Sequence, residues 1–114
     1  MLKKQNRIHG RSVFKRILNS GQMARGDLIS LNYSPSRGKN LKSAVVVSRK
    51  VSKSAVKRNR IRRRIYEVVR LNYLPLNLKV NLIFIVFSQD IDLLSYQELV
   101  ERLDGLMKKA ELIK

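Results

Sequence analysis

Hydrophobic positions change period several times along the chain, and each change marks an element. Val13, Phe14, Ile17 and Leu18 recur at helical spacing and stop at Asn19, Ser20 and Gly21, which predicts a short amphipathic helix capped by Ser12. From Asp27 the period becomes two. Ile29, Leu31 and Tyr33 fall on one side and Leu28, Ser30 and Asn32 on the other, as in a strand with one more polar face. The turn-forming run SPSRGKN, residues 34–40, leads into a second predicted strand over 43–50, with Val45 and Val47 opposite Ala44, Val46, Ser48 and Lys50. A short extra strand at 22–24 has a weaker signal. Ser52 or Ser54 then caps a predicted helix that runs to about Asn72, before Leu74 and Pro75 end it. Residues 80–87, VNLIFIVF, barely alternate and read as a strand buried on both faces. Ser95-Tyr96-Gln97-Glu98 forms a capping box, after which Leu99, Val100, Leu103, Leu106, Met107 and Ala110 keep helical spacing. The order α-β-β-β-α-β-α predicts an α+β fold, a two-layer sandwich with helices laid on one face of a sheet.

With 114 residues, 44% of them hydrophobic, the chain has material for one core. Residues 1–114 are therefore read as one domain, in which 1–11, basic through Lys3, Lys4, Arg7 and Arg11, are expected to be mobile. The formal net charge of +17 changes the picture more. Like charge on that scale opposes compaction unless a polyanion relieves it. Every acidic residue except Asp27 lies at or beyond Glu67, so the basic surface is one region rather than a uniform coat. The absence of cysteine excludes disulfides, thiolate metal sites and a thiol nucleophile. The apolar run at 80–87 is too short to span a bilayer, and the opening MLKKQNRIHGR lacks a signal peptide's apolar segment, so a cytoplasmic protein is expected.

Catalytic groups are scarce. His9 is the one histidine and has no recognisable carboxylate partner, and no metalloprotease, serine-hydrolase or phosphate-cradling glycine motif occurs. Asp90 and Asp92 read as a polar turn before the capped helix. The concentrated signal is the predicted basic helix. At 100° per residue, Ile61, Ile65, Val68 and Val69 form one stripe, while Asn59, Arg60, Arg63, Glu67 and Arg70 lie opposite and Lys57, Arg58, Arg62 and Arg64 flank it. A merely solvated face mixes signs, whereas here Lys53, Lys57, Arg58, Arg60, Arg62, Arg63 and Arg64 precede a single Glu67. That is the footprint of polyanion binding, and the preference for arginine favours forked contacts to phosphate. A membrane-surface helix fits poorly, because the core needs the modest apolar stripe. A second candidate surface is the polar sheet face of Ser30, Asn32, Val46, Ser48 and Lys50, bordered by Phe14 and Leu18. Such a cleft suits an extended single strand, but Phe14 and Leu18 equally suit a core. Tyr66 suits either base stacking or packing against the protein.

The segment AVKRNRIRRRIYE, residues 55–67, preceded by VVVSRK, closely resembles the RNR signature of the bacterial ribonuclease P protein component family. The resemblance extends from Asn6-Arg7-Ile8 and Phe14 through Gly21, the strands, the basic helix and the last leucine-rich helix. It implies a fold similar to one domain of a small-subunit ribosomal protein, with a left-handed βαβ crossover around the RNR helix against the usual right-handed preference. It also implies that the protein is not itself the catalyst but serves a catalytic RNA subunit that uses magnesium, binding that RNA and the 5′ leader of precursor transfer RNA. By position, the RNA-subunit contacts would be Lys53, Lys57, Arg58, Asn59, Arg60, Arg62 and Arg63. The leader contacts would be Phe14, Leu18, Ser30, Asn32, Val46, Ser48 and Lys50. Leu18 stands where the family often has a second phenylalanine, Asn32 or its neighbour Tyr33 falls where an aromatic is common, and Tyr66 stands where the family is often basic. The alternatives are a ribosomal or chaperone-type RNA-binding protein and, less favoured because no acidic cluster is apparent near the basic helix, a metal-dependent nuclease acting alone.

Overall fold

A computed structural model describes residues 2–38 and 40–114; Met1, in the N-terminal segment, and Lys39, in the turn expected over 34–40, lie outside the described residues. The order is α1 (Arg11–Ser20), β1 (Gln22–Arg25), β2 (Ile29–Pro35), β3 (Lys42–Val46), α2 (Ala55–Val68), β4 (Val80–Val86) and α3 (Tyr96–Lys109). The strands form one sheet in the order β1-β2-β4-β3. β1 pairs antiparallel with β2 and β2 with β4, whereas β3 runs parallel to β4. Parallel neighbours need a crossover, and the basic helix α2 provides it. The expected α+β fold is present, including the weakly signalled strand β1.

Alternation along the strands sorts side chains between two faces. Ile29 and Leu31 of β2, Val45 of β3, and Leu82, Phe84 and Val86 of β4 share one core with Ile61, Ile65 and Val68 of α2 and Leu99, Leu103 and Leu106 of α3. Ser30 and Asn32 face the other way, in register with Ile85 and Ile83. Ile83 is fully buried yet stands outside that core, as does Ile17 of α1, the helix that packs against β2. α1 therefore roofs part of the second face, and the expected two-layer sandwich carries a partial third layer. The physical reason is that Ile83 and Ile85 share the polar-looking face with Ser30 and Asn32 and need a cover.

Local chemistry sets the element ends. Ser54 caps α2 by accepting from the Lys57 amide at 3.2 Å, and Ser95 and Glu98 complete the reciprocal box at the start of α3. α1 begins two residues earlier than expected, with Gly10 rather than Ser12 at its cap, at a φ of 90° that suits glycine. At the other end of α1, a Cβ on Gly21 would lie 2.5 Å from the Ile17 carbonyl oxygen and 2.6 Å from that of Tyr33, so only glycine fits the turn into β1. β3 stops at Val46 instead of reaching Lys50, because the Val51 and Ser52 amides turn back to the Ser48 carbonyl at 3.1 and 3.4 Å. α2 relaxes into a π-helical turn at Val69–Tyr73 and a 3₁₀ turn at Leu74–Leu76, close to the expected end.

In the N-terminal segment, expected to be mobile, Leu2 and Asn6 to Ile8 make contacts with the rest of the fold. Leu2 is buried in the main core, the Asn6 side-chain amide donates to the Leu41 carbonyl at 2.9 Å, and the Ile8 amide donates to the Ser43 carbonyl at 2.9 Å. Arg7 thereby forms a parallel bridge with Ser43 on the outer edge of β3. Burial of one leucine and satisfaction of edge carbonyls give this basic segment a reason to stay attached.

Candidate nucleic-acid interface

The cations of α2 have different tasks. Arg64 is turned into the protein: Nη1 donates to the Ile91 and Asp92 carbonyls, both at 3.1 Å, and Nη2 donates to the Leu94 carbonyl. It clamps the 3₁₀ turn Gln89–Leu93 against the helix. Arg58 braces the loop before α2, with Nη1 donating to the Ser52 carbonyl at 2.8 Å. Arg60 forms a fork with Asp92, its Nε 3.0 Å from Oδ1 and its Nη2 2.5 Å from Oδ2. The Arg60 hydrogen bond holds the Asp92 carboxyl below the usual carboxylate range, helped by the charges of Arg60, Arg64 and Lys57 and opposed by burial. One acid therefore does stand beside the basic helix, as the ion-pair partner of two arginines. Arg62 donates to the Asn59 side-chain oxygen, while Lys53 and Arg63 are exposed.

Two open hollows flank the exposed part of α2. One, of about 630 Å³, is lined by Arg7, Val56, Asn59, Arg62, Arg63 and Tyr66. The other, of about 710 Å³, is lined by Arg49, Lys50, Lys53, Ala55 and Arg58. All the charged groups lining both are cationic, so each concentrates positive potential in a concave surface where phosphate contacts would be strengthened. Arg7 was missed from the sequence, because its approach to α2 depends on the long-range bridge to Ser43. Its Nε is buried without a hydrogen-bond partner. Tyr66 is half-buried and its hydroxyl accepts from the Val45 amide at 3.2 Å, which answers the sequence question in favour of packing against the protein. Burial raises its pKa, so the phenol stays neutral. His9 donates to the Lys4 carbonyl at 2.8 Å within the docked segment.

The second surface is only partly assembled as expected. Val46, Ser48 and Lys50 line a common groove of about 280 Å³ with Val51, Ile85, Val86 and Phe87. Ser30 is fully buried and Asn32 only 9% exposed, so both lie in the covered interior of that sheet face, where Ser30 Oγ and Asn32 Oδ1 lack hydrogen-bond partners. Phe14 and Leu18 are half-buried on either side of Ile17, consistent with a partial core role. Among the described residues, no group of three or more His, Cys, Asp or Glu side chains is placed to hold a metal ion, and no helix is long and apolar enough to cross a membrane.

The family model Ribonuclease P matches residues 2–111. The ribonuclease P protein component of a Synechococcus strain is 36% identical over 121 aligned residues, covering 99% of this chain and 87% of its own length. The corresponding component of Thermus scotoductus is also 36% identical, over 93% of this chain but 60% of its own length. The fold matches a Staphylococcus aureus RNase P protein mutant described as defective in mRNA degradation, with a TM-score of 0.83 and 23% identity over 95% of this chain and 90% of that one. It matches the RNase P protein from Thermotoga maritima with a TM-score of 0.79 and 21% identity, over 90% of this chain and 96% of that one.

Proposed function

Because this chain belongs to the ribonuclease P protein family, we propose that it is the protein subunit of a ribonuclease P that removes the 5′ leader from precursor transfer RNA. The observation that carries the reading is the pair of cationic hollows on either side of α2, which present Arg7, Arg62 and Arg63 on one side and Arg49, Lys50 and Lys53 on the other. In this reading Lys53, Lys57, Arg58, Arg60, Arg62 and Arg63 neutralise phosphates of the RNA subunit, Asn59 adds a hydrogen bond to it, and Phe14, Leu18, Val46, Ser48 and Lys50 hold the leader. Ser30 and Asn32 support that surface from below. Arg60 first exchanges Asp92 for phosphate. The protein contributes binding and orientation, whereas the RNA subunit carries the catalysis and its magnesium ions; the described side chains offer no metal cluster of their own. The reading also places the protein in the cytoplasm with its RNA partners.

The test is cleavage of precursor transfer RNA by the cognate ribonuclease P RNA at low magnesium, with and without this protein. Stimulated cleavage at the mature 5′ end is the expected outcome. Absence of stimulation despite binding to that RNA, with equal affinity for mature and precursor transfer RNA, would favour a general RNA-coating role. Magnesium-dependent cleavage by the purified protein alone would overturn the division of labour.

A further inference from the structure

β3 and β4 run parallel and end together, with Val46 in register with Ile85. Beyond that pair the chain leaves β3 toward α2 and β4 toward the turn Gln89–Leu93, so a groove opens between the diverging loops at the carboxyl ends of the strands. Parallel sheets commonly bind ligands at such divergences. Phe87 lies here, immediately after β4, with its amide donating to the Leu28 carbonyl at 2.8 Å. Strand alternation directs its side chain to the same sheet face as Ile83 and Ile85. It is 46% exposed, the only large aromatic ring lining a groove that otherwise holds Val46, Ser48, Lys50, Val51, Ile85 and Val86.

We propose that Phe87 is a base-stacking residue for the single-stranded leader, with Lys50 holding the adjoining phosphate; this rests on the leader-binding reading above. The chemistry of the groove is that of a single-strand site, in which a ring gives a face for any base and a neighbouring cation meets the backbone. At about 280 Å³ and open to solvent, it suits one unit of an extended strand better than an enclosed small ligand, whose pockets run from roughly 300 to 1,000 Å³. Lys50 also lines the cationic hollow of Arg49, Lys53 and Arg58, so a strand seated on Phe87 continues directly onto phosphate-binding groups. This second observation selects a nucleic acid over an apolar protein segment as the occupant.

The experiment uses the holoenzyme reconstituted with its cognate RNA and measures equilibrium binding of precursor transfer RNA with a long leader, the same RNA without a leader, and a long leader carrying abasic sites. Phe87→Ala and Phe87→Leu should each weaken long-leader binding about 5- to 150-fold, the effect of losing one base–aromatic stack, while Phe87→Tyr retains affinity. Leaderless binding should be unchanged, and abasic sites at the stacked position should weaken the wild type while leaving Phe87→Ala little further affected. Loss of affinity for leaderless and long-leader RNA alike would assign Phe87 a structural role and overturn the proposal. Wild-type affinity in Phe87→Ala, with Lys50→Ala weakened only for long leaders, would also overturn it but leave leader binding standing. A wild-type holoenzyme indifferent to leader length would instead remove the underlying reading.

Discussion

Arg63 and Arg64 are adjacent in sequence and opposite in purpose, and the helical turn between them is the cause. A rotation of about 100° sends Arg63 to the cationic hollow and Arg64 to the carbonyls of Ile91, Asp92 and Leu94. Arg64→Ala should therefore lower unfolding stability by about 2 kcal/mol, as expected when hydrogen bonds from a charged donor to part-buried carbonyls are lost; urea denaturation measures it. Arg63→Ala should leave that midpoint nearly unchanged while weakening RNA-subunit binding and reducing the slope of log affinity against log salt by about 0.7 to 0.9. The Arg60–Asp92 pair adds a pH signature. The folded-state pKa of Asp92 is depressed, so its contribution is complete above the unfolded value near pH 4 and disappears as pH falls through the lower folded value. Arg60 is 47% exposed, so solvent screening keeps the pair's contribution small. Asp92→Asn should be less stable than wild type near neutrality and converge with it in acid, read from denaturant midpoints across pH. The residue types of this site were legible in the sequence because one-sided charge is a compositional fact. Their division into inward clamps and outward-facing cations was not, since Asp92 and the carbonyls of Ile91, Asp92 and Leu94 lie some thirty positions away.

At the scale of elements, strong periodicity and capping chemistry were readable, while loops and long-range docking were not. The capping box at Ser95 and the stripe of Ile61, Ile65 and Val68 are local patterns, and α3 and α2 follow them. The early end of β3 depends on a backbone turn around Ser48 that no alternation reveals, because Val47 and Ser48 still look strand-like. Likewise, α1 proves to be a roof because Ile83 and Ile17 meet needs that arise only once the sheet is formed. Gly21 sits at the junction of α1, β1 and β2. Gly21→Ala should destabilise the protein by more than about 2 kcal/mol, because a methyl group pressed against two backbone carbonyls forces the turn to move; thermal unfolding followed by circular dichroism checks it. Tyr66 links two other elements. Tyr66→Phe should cost roughly 1 kcal/mol by leaving the Val45 amide without its acceptor.

For the whole molecule, charge and topology act together. A core shared by the sheet, α2 and α3 holds the chain closed against a net charge of +17. Sulfate should therefore raise the thermal midpoint of the wild type by more than that of Arg63→Ala, because anions settling in the hollows add to sulfate's general stabilising exclusion from protein surface. The docked N-terminal segment has a further consequence, for the protein's self-association. β3 is an outer strand of the sheet, and an outer strand with free amides and carbonyls invites another chain to add to it. Ile8 occupies the Ser43 carbonyl and the Tyr66 hydroxyl occupies the Val45 amide, so two of the positions a foreign strand would use are already taken. Proteolytic clipping after Arg7 would remove the Leu2 and Asn6 anchors that help hold Ile8 on this edge, and a protein kept apart by its charge at low salt would become prone to pairing through the loosened edge once salt screened that repulsion.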